Sequence, residues 1–237
     1  MRVISTVHKA GWDVYGERWL AGVEHWPVDT EFILYTEGFD LDHPRVKTKR
    51  IESLPRAEAF KKQYAYYKPV LWQWDIVKWC NKVFAAHDAL TGYDGLALWL
   101  DADAITFKTF PEGYIESMLP DGVFLALFKR KGMEPETGFW LMDCTHRLRD
   151  AFLDTWVRWL EAGTFKTLHQ WCDASTLNAT LRAFEKDKLV TSVSLSGPWE
   201  KEMHPMAKVD LAHYVDHLKG FRKDLVRSPE NEFREVA

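Results

Sequence analysis

Gly95-Leu96-Ala97-Leu98-Trp99-Leu100-Asp101-Ala102-Asp103 decides how this chain is read. An apolar run with the character of a buried strand ends in two carboxylates one residue apart. Strand alternation sends residues 101 and 103 to the same side. Two neighbouring carboxylates repel each other, and each loses hydration at the end of a buried strand. A divalent cation relieves both costs, which makes Asp101 and Asp103 candidate metal ligands. The plain alternative is a pair of solvated turn aspartates. Asp40-Leu41-Asp42 has the same spacing but lies in a polar stretch before His43-Pro44, and reads as a loop.

Outward from that stretch, hydrophobic periodicity sets the element order. Residues 2–7 read as a first buried strand. Residues 12–26 read as a helix with Trp12, Tyr15, Trp19, Leu20 and Val23 at helical spacing, stopped by Pro27. Residues 31–36 form a second strand closed by Glu37-Gly38. Strand, helix, strand in this order opens an α/β sheet with a parallel pair. Thr6 and His8, at the end of the first strand, stand where such sheets bind ligands, and are candidate cofactor residues. Residues 38–69 read as irregular and basic, and residues 71–90 as a long helix with Trp72, Ile76, Trp79, Val83 and Phe84 on one face. Strands at residues 123–128 and 138–142, helices at 148–160 and about 173–184, and a last strand at 190–195 precede an irregular, charged tail.

Bulk composition sets the frame. At 237 residues, with 46% hydrophobic and 28% charged residues, the chain is expected to form one soluble domain around one sizeable core. Twelve tryptophans are unusual, and their ring faces suit sugars and bases as well as a core. The net charge of −4 hides a basic stretch: residues 45–68 carry eight Lys or Arg against two Glu. Three scattered cysteines lack metal-ligand spacing and suggest a reducing compartment, so a cytoplasmic location is expected. The N-terminal apolar stretch is too short for a signal peptide, and no segment reaches the ~20 apolar residues of a membrane span.

In element order and in four blocks, the chain resembles the GT-A glycosyltransferases, nucleotide-sugar-dependent enzymes with an Asp-x-Asp metal motif. The first block is residues 2–26, where such enzymes seat the nucleotide base. The second is Asp75-Ile76-Val77-Lys78-Trp79-Cys80-Asn81-Lys82-Val83-Phe84 leading into Trp99-Leu100-Asp101-Ala102-Asp103. The third is Glu136-Thr137-Gly138-Phe139-Trp140-Leu141-Met142, similar to the family's Asn/Ser-x-Gly-Phe strand facing the donor sugar, followed by Gln170-Trp171-Cys172-Asp173-Ala174-Ser175-Thr176-Leu177-Asn178. Many relatives have Asp-Gln-Asp-x-Leu-Asn there; Ala174 and Ser175 depart from it, which leaves retaining or inverting chemistry open. The fourth is His213-Tyr214-Val215-Asp216-His217-Leu218-Lys219-Gly220-Phe221-Arg222-Lys223, similar to the family's terminal metal-ligand histidine with a diphosphate-binding lysine six residues on. His213 with Lys219 and His217 with Lys223 both satisfy that spacing, and His217 is preferred for the Gly and three bases that follow it. The second and fourth blocks also resemble small bacteriophage glycosyltransferase-like proteins.

The resemblance implies an α/β, GT-A (Rossmann-like) fold with a mixed, mostly parallel sheet flanked by helices. It is a single domain over residues 1–237, with a nucleotide-binding half at 1–110 and an acceptor half and tail at 111–237. It further implies Mn²⁺ or Mg²⁺ on Asp101, Asp103 and His217, and a nucleotide-sugar donor, UDP-sugar favoured, contacted by Thr6, His8, Lys82, Gly138, Lys219 and Lys223, with Arg222 beside them. Asp173 is the candidate acid near the sugar, or else a helix cap.

Basic side chains at 45–68 interleave with Tyr64, Tyr66 and Tyr67, a composition that suits a nucleic-acid strand. A hydroxymethylated base in phage DNA, flipped from the duplex, is therefore one expected hydroxyl acceptor. A glycan, lipid or protein acceptor is the alternative, and a solubilising loop or donor lid the plain reading of the stretch. A nucleotidyltransferase is a rival, opposed by the lack of a Gly-rich loop around Lys9-Ala10-Gly11. A non-catalytic sugar- or nucleic-acid-binding module is another.

Overall fold

The structure, a computed structural model, describes residues 1–220, 222, 228, 229 and 231. The strands are β1 (Arg2–His8), β2 (Glu31–Glu37), β3 (Val46–Arg50), β4 (Leu96–Leu100), β5 (Ala104–Thr106), β6 (Leu125–Phe128), β7 (Glu136–Asp143), β8 (Ser192–Ser194) and β9 (Val215–His217). The α-helices are α1 (Lys9–Gly11), α2 (Glu17–Ala21), α3 (Pro55–Gln63), α4 (Ile76–Leu90), α5 (Tyr114–Ser117), α6 (Arg149–Glu161) and α7 (Asp173–Lys186).

Among the described residues, seven strands form one sheet in the order β3-β2-β1-β4-β7-β6-β8. The pairs β1–β2, β2–β3, β1–β4 and β6–β8 are parallel, whereas β7 runs antiparallel to both β4 and β6. The fold is thus α/β with a mixed, mostly parallel sheet, as expected. Strand alternation divides the core between its two faces. Ile4, Ile33, Tyr35, Ala97, Trp99, Trp140 and Met142 face a cluster built with α3, α4, α6 and α7. Val3, Val7, Phe32, Leu34, Leu98, Leu100, Phe139 and Leu141 face another that contains Trp19, Val23, Trp26, Met206 and Leu211.

Four expectations need correction. The helix expected at residues 12–26 begins at α1, where His8 Nδ1 accepts from Gly11 N at 2.9 Å, and passes through a π turn at Trp12–Gly16. Within residues 38–69, β3 and α3 are regular; β3 is an edge strand of sequence Val-Lys-Thr-Lys-Arg, whose charges hide its strand character. The long helix begins at Ile76 rather than residue 71, because Asp75 Oδ1 accepts from Lys78 N at 3.2 Å and caps it, while Trp72–Trp74 form a separate 3₁₀ turn. The tail is not irregular throughout: β9 pairs antiparallel with β5, with Ala104 opposite His217.

Candidate active-site cleft

Trp99 and Asp101 lie on one side of the β4 line, and the Trp99 indole Nε1 donates to Asp101 Oδ1 at 2.7 Å. The strand itself ends at Leu100. Asp101 N still donates to Gly138 O at 2.8 Å, but Ala104 N turns back to Asp101 O at 2.9 Å. The two carboxylates therefore converge through a tight turn and not through strand alternation. The β5–β9 ladder then delivers His217, and Leu218 N donates to Asp103 O at 2.9 Å. Ligand atoms of Asp101, Asp103 and His217 lie within 4.8 Å of one another. His217 Nε2 is 3.0 Å from Asp103 Oδ1 and 3.8 Å from Asp101 Oδ2. Burial opposes a charge on His217, but Asp103 and Glu136 outweigh it and raise its pKa.

These residues floor a cleft of about 420 Å³. Thr6, Val7, His8 and Tyr15 line it from β1 and the helical run that follows; Trp72, Lys78, Trp79, Asn81 and Lys82 line it from the entry to α4 and its first turns; Lys219, Gly220 and Arg222 line it from the tail. His213 is exposed and stands outside the carboxylate cluster, its ring 6.3 Å from that of Tyr214. The tail thus brings His217 and Lys219 together, a combination that neither six-residue spacing paired. Lys223 lies outside the described residues.

Lys82 is fully within the protein and joins two carboxylates, with Nζ 2.7 Å from Asp101 Oδ1 and 2.9 Å from Asp173 Oδ2. It also donates to Thr137 O at 3.0 Å. Burial works against its charge, and Asp101 and Asp173 more than offset that, raising its pKa. Asp173 is the first residue of α7, behind Lys82, with Cys172 rather than Asp173 in the cap position; its Oδ2 accepts from Thr137 Oγ1 at 2.7 Å. Gly138 does not line the cleft. A Cβ there would fall 2.3 Å from Cε1 of His217, so this glycine gives the imidazole its seat.

Sequence reading missed Glu136, Tyr15 and the Trp72–Trp79 wall. Glu136 is 1% exposed; its Oε1 accepts from Gly138 N at 3.0 Å and lies 3.7 Å from His217 Nδ1, and its Oε2 pairs with Lys219 Nζ. Burial opposes ionisation of Glu136, yet Lys219 and His217 hold its pKa far below the usual carboxylate range. Its one sequence signal was an acid opening an apolar strand. Burial, then Asp103 and Asp101, raise the pKa of the Tyr15 phenol, keeping it protonated beside the carboxylates. The neighbouring His204 is pushed down to about 4 by burial and by His217, and its Nε2 donates to His217 O at 2.9 Å.

No protein-family model matches this chain, and no curated protein matches it. Among solved structures, it is similar to the apo structure of the bifunctional glycosyltransferase WbbM at a TM-score of 0.54 and 10% identity, over 83% of this chain and 39% of that one. The match therefore spans about two fifths of the length of WbbM. Galactosyltransferase LgtC in complex with donor and acceptor sugar analogues matches at a TM-score of 0.47 and 13% identity, over 76% of this chain and 70% of that one. Mouse xyloside xylosyltransferase 1 matches at 0.48 and 10%, over 86% and 90%. The sheet order, its single antiparallel strand β7 and the placement of Asp-x-Asp after β4, together with the likeness to WbbM, make this the GT-A glycosyltransferase fold.

Proposed function

We propose that this chain is a metal-dependent glycosyltransferase that moves a sugar from a nucleoside diphosphate sugar, UDP-sugar favoured, to a hydroxyl acceptor. The observation that carries the proposal is the meeting of Asp101, Asp103 and His217 on the floor of a cleft whose rim supplies Lys219 and Arg222. Two carboxylates and one imidazole fit a divalent cation, and the imidazole favours Mn²⁺ over Mg²⁺. The fit is supported by the cost of the arrangement alone, since like charges converge at a site where His217 is fully buried. When bound, the cation supplies Lewis-acid stabilisation of the charge that grows on the leaving diphosphate.

The chain's own residues do the rest. Lys219 and Arg222 add preorganised positive charge where the diphosphate leaves; removing one such contact costs on the order of 10²–10³ in rate. Lys82 holds Asp101 and Asp173 together through its ammonium contacts beside the donor. Thr6 and His8, at the end of β1, are placed for the nucleoside. The cytoplasm suits three free, buried cysteines; among the described residues no helix is long and apolar enough to cross a membrane.

A base in DNA is the more specific acceptor reading, and the aromatic wall favours it: Trp72 lines the cleft at 61% exposure, with Trp79 beside it. The basic stretch itself offers less charge than its composition promised. Lys49 pairs with Asp88, Arg50 with Asp40 and Glu52, Arg56 with Glu161 and Lys61 with Glu37.

The proposal is tested by incubating the protein with a panel of nucleotide sugars and Mn²⁺ and following release of nucleoside diphosphate. Release from one donor that stops with a chelator and in Asp103→Ala supports the proposal and identifies the donor. Failure to bind any donor in the presence of metal overturns it and favours a binding module. With the donor known, hydroxymethylated DNA and free glycans are compared as acceptors.

A further inference from the structure

Glu136 opens a strand whose next six residues are all buried, and it is itself 1% exposed. A carboxylate there has lost its hydration and is retained only if its partners replace it. Its partners belong to the cleft. Oε1 accepts from Gly138 N at 3.0 Å and faces His217 Nδ1 at 3.7 Å; Oε2 is ion-paired with Lys219 Nζ. The imidazole is therefore held on three sides. Nε2 faces Asp103 at 3.0 Å, the ring lies on the bare Cα of Gly138, and Nδ1, a buried atom with no hydrogen bond, has the Glu136 carboxylate before it. Lys219 is 41% exposed and reaches down from the rim to the same carboxylate.

We infer that Glu136 is a positioning residue with two tasks: it orients His217 through Nδ1 so that Nε2 faces the cation, and it holds Lys219 at the cleft until the donor's diphosphate takes over that ammonium group. The inference rests on the metal site proposed above. A charge-assisted hydrogen bond of about 2.8 Å from Nδ1–H to Oε1 needs only a small ring movement, and it fixes the tautomer whose Nε2 lone pair is free for a metal. Lys219 exchanges one anionic partner for another, so its charge is never stranded, and the exchange couples donor binding to the Glu136–His217 contact.

Mn²⁺ is titrated into the wild-type protein, Glu136→Leu and Glu136→Gln by calorimetry, and the His217 Nδ1–H proton signal is recorded with Mg²⁺, which is diamagnetic. In Glu136→Leu, Mn²⁺ affinity is expected to fall 10- to 100-fold, with the His217 Nδ1–H proton signal moved upfield by loss of its carboxylate acceptor. Glu136→Gln keeps an oxygen for Nδ1 but not the charge for Lys219, so it should lose less Mn²⁺ affinity and bind UDP with Mn²⁺ at least as tightly as wild type relative to that loss. Should the Leu variant fail to fold, the Gln variant carries the test through its UDP-to-Mn²⁺ ratio. Wild-type Mn²⁺ affinity and an unchanged His217 Nδ1–H signal in Glu136→Leu would overturn the inference while leaving the metal site standing. A wild-type protein that takes up no Mn²⁺ overturns both.

Discussion

Lys82 shows how much one residue of this cleft holds in place. Its ammonium group is the shared counter-charge of Asp101 and Asp173, with the Trp99 ring 5.2 Å away. Lys82→Met leaves two carboxylates facing each other without a cation in a largely dry site. That should cost about 3–5 kcal/mol of stability, the range for breaking a buried pair from one side, read as a lower urea midpoint. Gly138→Ala acts differently. The position is not in the left-handed region, so the backbone tolerates a side chain, but the new methyl meets the His217 ring. Circular dichroism should be unchanged while Mn²⁺ affinity drops at least tenfold, a size in keeping with losing a ligand's orientation. Wild-type affinity in this variant would show that His217 has room to move.

At the scale of elements, the cap at Asp75 separates α4 from the aromatic turn before it. α4 carries Lys82 and Asn81 to the cleft, and Trp79 Nε1 donates back to Trp72 O at 2.8 Å. Asp75→Ala removes the bond to Lys78 N and should destabilise the protein by about 1 kcal/mol, measured in urea, with a larger relative effect on the tryptophan signal of the 72–79 wall. Strongly periodic elements such as α6, α7 and the strands of the sheet centre were legible from residue order alone. Those carried by charge or by distant pairing were not: β3 reads as a basic loop until its pairing with β2 is seen, and β9 has three residues and a partner over a hundred positions away.

Over the whole molecule, four cations of residues 45–68, Lys49, Arg50, Arg56 and Lys61, serve the fold's own carboxylates, and Arg45 donates to the backbone carbonyls of Val23 and Pro27. Glu52 accepts from Arg50 and from Gly38 N at 2.7 Å; the Arg50 contact, against partial burial, brings its pKa from 4.5 down to about 2. Asp88 and Glu161 are lowered too, the first by Lys49 and Tyr35 against burial, the second by Arg56. The sign follows from proton uptake. The unfolded chain protonates Glu52 near 4.5 and the folded chain only near 2, so its contribution is complete above about 4.5 and is lost as pH falls toward 2. Urea midpoints should fall over that window, and less steeply in Glu52→Gln; parallel curves would show that the Arg50 contact does not matter to folding.

Residue order by itself determined the α/β alternation, the buried strand before Asp101 and the acids, glycine and histidines from which a site could be drawn, because hydrophobic periodicity and local charge act over a few residues. It also brought Asp101, Asp103, His217, Lys82 and Lys219 into view as candidates. Only the tertiary structure decided which histidine stands by the carboxylates, that Asp173 pairs with Lys82 while Cys172 takes the cap position, and that Glu136 lies beneath His217 and Lys219. Each of these depends on two segments far apart in sequence meeting: the tail with the turn after β4, α4 with the start of α7, and the start of β7 with the tail. The same holds for the basic stretch, whose composition suggested a free polycationic surface. Lys49, Arg56 and Lys61 there are paired with Asp88, Glu161 and Glu37, carboxylates that only folding brings within reach.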